Sequence, residues 1–231
     1  MKTIVIVAHP TVNSSGTQQF LKEALQSAQE VKWHPLSWAL MQDAGTIVQE
    51  RRMLHSYTRI IFQFPLYWHQ APALLHFWLE KVLQTTDREW LAGKELGLVV
   101  SLGRPLSVYR QGGSVGVSLS ELLSPPFSAI AHQLQLKLLP FFEITQFYYL
   151  SAVQKQCLLI KYLQYLELEQ PATFAQKEEW FVKRFRKMLQ EQGDTEVTLP
   201  QKELVKLFQE RAEELAELKA ELALMKEEDE D

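Results

Sequence analysis

The sequence predicts an α/β fold built on a parallel sheet with helices on both faces. Three observations carry this: a β-branched apolar run at the start, Thr3 to Ala8, a second such run at Glu95 to Leu102, and the alternation of short apolar segments with helix-like stretches joined by short loops. The chain of 231 residues has 46% hydrophobic residues, enough for a sizeable core. A net charge of -4 offers no basic field for nucleic acid, so no nucleic-acid partner is expected.

The first strand, Thr3 to Ala8, breaks at His9-Pro10 and gives way to the small polar residues Thr11 to Gln19, which open a helix over Ser15 to Gln29. A strand that ends where a helix begins presents free backbone N–H groups and the positive end of a helix, which is an anion site. No Lys, Arg, Asp or Glu lies between Thr3 and Leu21, and neither a P-loop nor a G-x-G-x-x-G pattern follows the strand. The segment reads as a mononucleotide-type phosphate cradle made of amides and hydroxyls.

Further strands are expected at Val31 to Trp38, Arg59 to Phe64, Glu95 to Leu102 and Ile144 to Leu150, with the first and fourth strands central because they are the most continuously apolar. Helices are expected at Gly45 to Tyr57, at Ala73 to Thr85 and at Leu119 to Leu138, the last interrupted by Pro125-Pro126. Two more, Val153 to Glu167 and Ala175 to Gln192, precede a stop at Gly193-Asp194-Thr195. Beyond it Leu204, Phe208, Arg211, Leu215, Leu218, Leu222 and Met225 form a seam over about three heptads. This divides the chain into a domain at 1–192 and an amphipathic helical tail at 193–231, which either packs on its own domain or serves a dimer or a protein partner.

The single cysteine, Cys157, has no second thiol to pair with and reads as packing. With no signal peptide and no apolar run of membrane-spanning length, a cytoplasmic protein without membrane insertion is expected. His69 and His76 lack the companions a metal needs, so no metal site is expected. Gly112-Gly113-Ser114-Val115-Gly116 is not a nucleophile elbow, which argues against a hydrolase.

In a doubly wound sheet, ligands bind at the carboxyl ends of the strands, here the loops after Ala8, Phe64 and Leu102. The loop from Phe64 to Pro72 brackets Leu66, Tyr67, Trp68 and His69 between prolines, a constrained aromatic segment suited to a planar heteroaromatic ring or a dimer contact. The loop from Ser101 to Ser114 brings Gly103, Arg104, Tyr109 and Arg110, either for a ligand or as a plain surface connection.

Ala8-His9-Pro10 with Ser15 and Gln18, followed by Pro65-Leu66-Tyr67-Trp68 with Pro72, Leu75, Trp78, Lys81 and Val82, resembles the flavodoxin-like NAD(P)H:quinone oxidoreductases. That family includes mammalian quinone reductases, the bacterial modulator of drug activity and the ancillary subunits of glutathione-gated potassium efflux. The resemblance covers about residues 1–190. It implies a flavodoxin-like five-stranded sheet in the order 2-1-3-4-5 and a flavin, FMN or FAD, and it leaves the C-terminal helical extension outside. The phosphate would lie at Ser15, Gly16, Thr17 and Gln18 beside His9, and the ring along the backbone of Pro65, Leu66, Tyr67 and Trp68. Family members carry a Thr-Thr-Gly-Gly-like sequence after the fourth strand. This chain has Ser101-Leu102-Gly103-Arg104, which keeps one hydroxyl and one glycine.

The resemblance further implies hydride transfer from NAD(P)H to a quinone-like acceptor by a ping-pong cycle, in a homodimer whose partner closes the pocket. Tyr109 takes the catalytic position of a family Tyr, after a one-residue shift, while the family's His has no counterpart. His9 has a plainer reading, orienting its turn through a backbone bond. Phe127, Phe141, Phe142, Phe147, Tyr148 and Tyr149 suit an interface or a core equally. The alternative function on the same fold is a flavin- and nucleotide-binding regulatory subunit with little turnover.

Overall fold

A computed structural model describes residues 1–39, 43–192 and 210. The chain divides into two compact units, Met1–Pro171 and Ala172–Asp231. In the first unit, strands β1 (Thr3–Val7), β2 (Val31–Pro35), β3 (Arg59–Pro65), β4 (Glu95–Leu102), β5 (Lys137–Leu138) and β6 (Phe142–Thr145) form one sheet. The order is β2-β1-β3-β4-β5, with β6 also paired to β4 and every pairing parallel. Together β5 and β6 make the fifth position, split around Pro140, which has no N–H for a ladder. The expected order 2-1-3-4-5 is the observed one.

The first three helices are α1 (Gly16–Ala24), α2 (Ala44–His55) and α3 (Ala73–Val82). They are followed by α4 (Arg88–Leu91), α5 (Leu119–Leu134) and α6 (Ala152–Glu167). Several begin where the sequence supplies a cap. Ser15 Oγ accepts from Gln18 N–H, Asp43 from Thr46 N–H, and Ser118/Glu121 and Ser151/Gln154 form reciprocal capping boxes.

Strand alternation sorts the core onto two faces. Ile60, Phe62 and Phe64 of β3 join Ile4, Ile6, Leu98 and Val100 in a cluster with Leu54 of α2, Leu75 and Trp78 of α3 and Phe127 of α5. The intervening residues of β3 reach α1 and α6: Gln63 bonds to Gln18 and Tyr162, and Arg59 bonds to the Tyr165 carbonyl and to Glu95. β3, not only β1 and β4, is therefore buried throughout. Its polar Arg59 and Gln63 hid this from a reading that ranked strands by apolar continuity.

Three expectations are corrected. The helix at Leu119 is not interrupted at Pro125-Pro126; both prolines lie inside continuous α5. They are exposed while Leu123 and Phe127 are buried, so the two rings stand on the outer side of the helix. The strand expected from Ile144 to Leu150 ends at Thr145, where Gln146 turns left-handed at φ 47° into a 3-10 turn, Phe147–Tyr149. Cys157 is exposed rather than packed. It lies nine residues, half a turn in angle, from buried Leu166 on α6.

The second unit contributes α7 (Phe174–Gln192), in which Phe181 stacks on Phe185 and the Arg184 guanidinium lies 4.9 Å from the Trp180 ring centre. The expected boundary at 193 and the heptad tail fall outside the described residues. Among the described residues, no helix is long and apolar enough to cross a membrane.

Candidate functional site

The carboxyl ends of β1, β3, β4 and β6 surround a cavity of about 250 Å³. His9 and the first turn of α1 form one wall through Ser15 and Thr17. Pro65, Leu66 and Tyr67 follow from the end of β3, Ser101 to Gly103 from the end of β4, and Ile144 and Gln146 to Tyr149 from the segment after β5. The cavity lies at the carboxyl edge where an open parallel sheet binds its ligand.

The electrostatics of the wall come from dipoles. Among the described residues, no Lys, Arg, Asp or Glu lines the cavity. At the α1 N-terminus, Gly16 and Thr17 have no carbonyl four residues back within the helix, so their N–H groups lack a helical partner and lie at the helix's positive end. Ser15 Oγ accepts from Gln18 N–H at 3.4 Å, which leaves its O–H for a ligand. His9 Nδ1 accepts from Thr11 N–H at 3.0 Å, so its proton sits on Nε2. Burial lowers the His9 pKa and keeps the ring neutral. The turn-orienting bond expected of His9 is present, and the ring also lines the cavity.

The β3 loop is more closed on itself than its sequence suggested. Leu66 N–H donates to the Ser101 carbonyl at 3.0 Å, and Tyr67 and Gln70 exchange backbone bonds of 3.1 and 2.9 Å. Trp68 and His69 between them both have positive φ, 47° and 65°, the geometry of a two-residue hairpin turn. The N–H groups of Leu66 and Tyr67 are thus occupied, and these residues present side chains and carbonyls to the cavity rather than donors. Trp68, 94% exposed at the tip, is not part of the wall.

Of the residues expected at a cofactor, His9, Ser15, Thr17, Pro65, Leu66, Tyr67, Ser101 and Gly103 meet around one cavity. Gln18 does not. It is 1% exposed, and its Oε1 accepts from Gln63 Nε2 at 2.6 Å, because its place on α1 faces the sheet. Gly16 underlies Tyr148 instead of lining the wall. Tyr109 is buried in the core cluster, edge-on to His69 with ring centres 6.1 Å apart, and also lies outside the wall. Arg104 bonds to Ser114 Oγ at 2.7 Å across its own loop.

Gln146, Phe147, Tyr148 and Tyr149 were not anticipated in the site. Running the fifth strand on to Leu150 hid its true carboxyl end. The rule that located the other loops would have found this one once the strand was stopped at Thr145.

The wall fits a flavin phosphate and ring. Uncharged donors and a helix end suit a phosphate, Leu66 and Tyr67 offer apolar surface, and a Cβ on Gly103 would meet no protein atom within 4 Å. A family model described as a flavodoxin-like fold matches residues 1–166. The chain is 35% identical over 147 residues to the uncharacterized NAD(P)H oxidoreductase YrkL of Bacillus subtilis, spanning 62% of this chain and 84% of that protein. Its fold is similar to the crystal structure of an NADPH-quinone reductase from P. pentosaceus, with a TM-score of 0.68 and 39% identity over 73% of this chain and 99% of that one. It is also similar to general stress protein 14 of Treponema denticola, solved in complex with FMN, with a TM-score of 0.63 and 28% identity over 72% of this chain and 98% of that one.

Proposed function

The chain belongs to the flavodoxin-like fold family, and from that membership we propose that it is a flavin-dependent oxidoreductase that uses NAD(P)H to reduce quinones or related electrophiles. The observation that carries this is the single cavity in which an uncharged helix-end cradle, an apolar Leu66-Tyr67 shelf and the Ser101–Gly103 edge converge.

Ser15 O–H, Thr17 and the amides of Gly16 and Thr17 hold the phosphate. The helix dipole stabilises its charge, so no side-chain cation is needed there. Pro65, Leu66 and Tyr67 would support the ring and Ser101 and Gly103 would meet it from the end of β4, where Gly103 leaves space for close approach. When bound, a flavin would supply the hydride chemistry between NAD(P)H and the quinone. His9, neutral with its proton on Nε2, presents a donor to the same cavity. Tyr109 and Gln18 do not line the cavity and have no direct part in this reading.

A homodimer accords with this reading. Trp68, Tyr148 and Tyr149 are 94%, 72% and 83% exposed at or beside the cavity, and a second copy would cover them. The proposed compartment is the cytoplasm.

The test is the visible spectrum of the purified protein, followed by NADPH and NADH oxidation with menadione. Flavin bands together with menadione-dependent oxidation support the enzyme. Flavin bands with negligible turnover would turn the reading to the regulatory subunit, and a colourless protein that takes up neither FMN nor FAD would overturn both.

A further inference from the structure

The segment after β6 is held over the cradle by contacts of its own. Gln146 N–H donates to the Leu102 carbonyl at 2.8 Å as the backbone turns left-handed, and Tyr149 N–H closes the 3-10 turn on the Gln146 carbonyl at 2.9 Å. Phe147 is pinned, with its ring centre 5.2 Å from that of Phe20 on α1 and the Lys155 ammonium 5.0 Å from it. The next residue, Tyr148, is thereby set against the first turn of α1. A Cβ built on Gly16 would lie 3.2 Å from its Cε1 and 3.3 Å from its Oη. The phenol therefore stands at the helix end that offers the cradle its N–H groups, and Tyr148 and Tyr149 line the same cavity as Ser15 and Thr17.

We propose that Tyr148 makes the site select FMN over FAD, its hydroxyl donating to a terminal phosphate and its ring closing the flank that a second phosphate and an adenosine would need. This rests on the flavin reading above. A phosphate monoester is a dianion with three unshared oxygens, able to take a further hydrogen bond beyond those from Ser15, Thr17 and the amides. The proximal phosphate of a diphosphate has two unshared oxygens and one charge, and it continues into a bulky group. The hydroxyl and the ring thus discriminate in the same direction. Gly16 is part of the device, because a Cβ there would lie 3.2 Å from the ring, tighter than ordinary contact, and the ring would have to give way by a few tenths of an ångström.

The experiment is fluorescence titration of the flavin-free full-length protein, its Tyr148→Phe variant and its Tyr148→Ala variant with FMN, FAD and riboflavin. The unaltered protein should bind FMN at least about tenfold more tightly than FAD. Tyr148→Phe should weaken FMN by about tenfold, the scale of one charge-assisted hydrogen bond, and leave riboflavin unchanged. Tyr148→Ala should bring the FMN and FAD affinities together, with FAD gaining. Preference for FAD in the unaltered protein, an unaltered FMN-to-FAD ratio in Tyr148→Ala, or equal losses of FMN and riboflavin in Tyr148→Phe would each overturn the proposal while leaving flavin binding intact. Failure of the unaltered protein to bind any flavin would overturn the flavin reading itself.

Discussion

Replacing Ser15 with Asp separates the two roles this residue has at the start of α1. As helix cap, Ser15 accepts the Gln18 N–H at 3.4 Å. Asp caps a helix as well as Ser and adds a favourable charge at the positive end of the dipole, so the variant should be as stable as the parent or up to about 1 kcal/mol more so. With roughly 2–4 °C of Tm per kcal/mol in a unit of this size, Tm should hold or rise by up to about 4 °C. As part of the cradle, the same substitution places a carboxylate where a phosphate binds. Two unit charges about 4 Å apart at an effective dielectric constant of about 20 repel by about 4 kcal/mol, which corresponds to roughly a thousandfold in affinity. FMN should therefore be lost from Ser15→Asp at micromolar concentration, whereas riboflavin, which has no phosphate, should bind as it does to the parent. Thermal unfolding by circular dichroism and titration with the two flavins read the two effects separately. Retention of FMN affinity would place the phosphate elsewhere, and equal loss of riboflavin would show that the helix end had been deformed rather than repelled.

Three other perturbations address the scaffold. Tyr162 is fully buried and donates to Gln63 Oε1 at 2.7 Å, so Tyr162→Phe leaves a buried acceptor unmatched and should cost about 2 kcal/mol, a fall of roughly 4–8 °C in Tm; an unchanged Tm would mean the amide finds another donor. Trp68 holds φ 47° at the exposed tip of its turn, so Trp68→Gly should relieve up to about 1 kcal/mol of left-handed strain, and a loss of stability in thermal unfolding would refute the strain argument. Glu50 accepts from His34 Nε2 at 2.9 Å and from Trp78 Nε1 at 3.0 Å; although burial pushes its carboxyl up, these bonds outweigh that and hold its pKa below the usual value. Its contribution is therefore present above the unfolded carboxyl pKa, near 4.3, and lost as pH falls through the lower folded value. Glu50→Gln should flatten the fall of Tm below about pH 4.5, and an acid limb as steep as the parent's would assign that limb to other carboxylates.

Much of the fold could be read without coordinates because its determinants are local and periodic. Ile4 to Val7 and Leu96 to Val100 carry no polar side chain, and Ser15 and Ser118 stand where helices begin. The proposed cradle could be read for the same reason, since a strand, a turn and a helix start within twenty residues of one another. The absence of charge from Thr3 to Leu21 is a property of the sequence alone, and it means that an anion bound by this segment would be held by dipoles and hydroxyls. What sequence could not decide was side-chain direction and the company of distant residues. Gln18 was placed with the ligand by its position, but α1 turns it to the sheet, where Gln63 and Tyr162 complete a buried polar chain. The N–H groups of Leu66 and Tyr67 look free in an aromatic, proline-bounded loop until Ser101 and Gln70 are seen to take them. Tyr148 lies 132 positions from Gly16 by the numbering, and no local pattern links them; the end of β6 at Thr145 and the left-handed turn at Gln146 bring the phenol over the cradle. Sequence determined the elements and the kind of anion site, because those follow from propensity, capping and charge. Only the tertiary structure decided which residues close that site, because closure depends on the crossing of chain segments far apart in order.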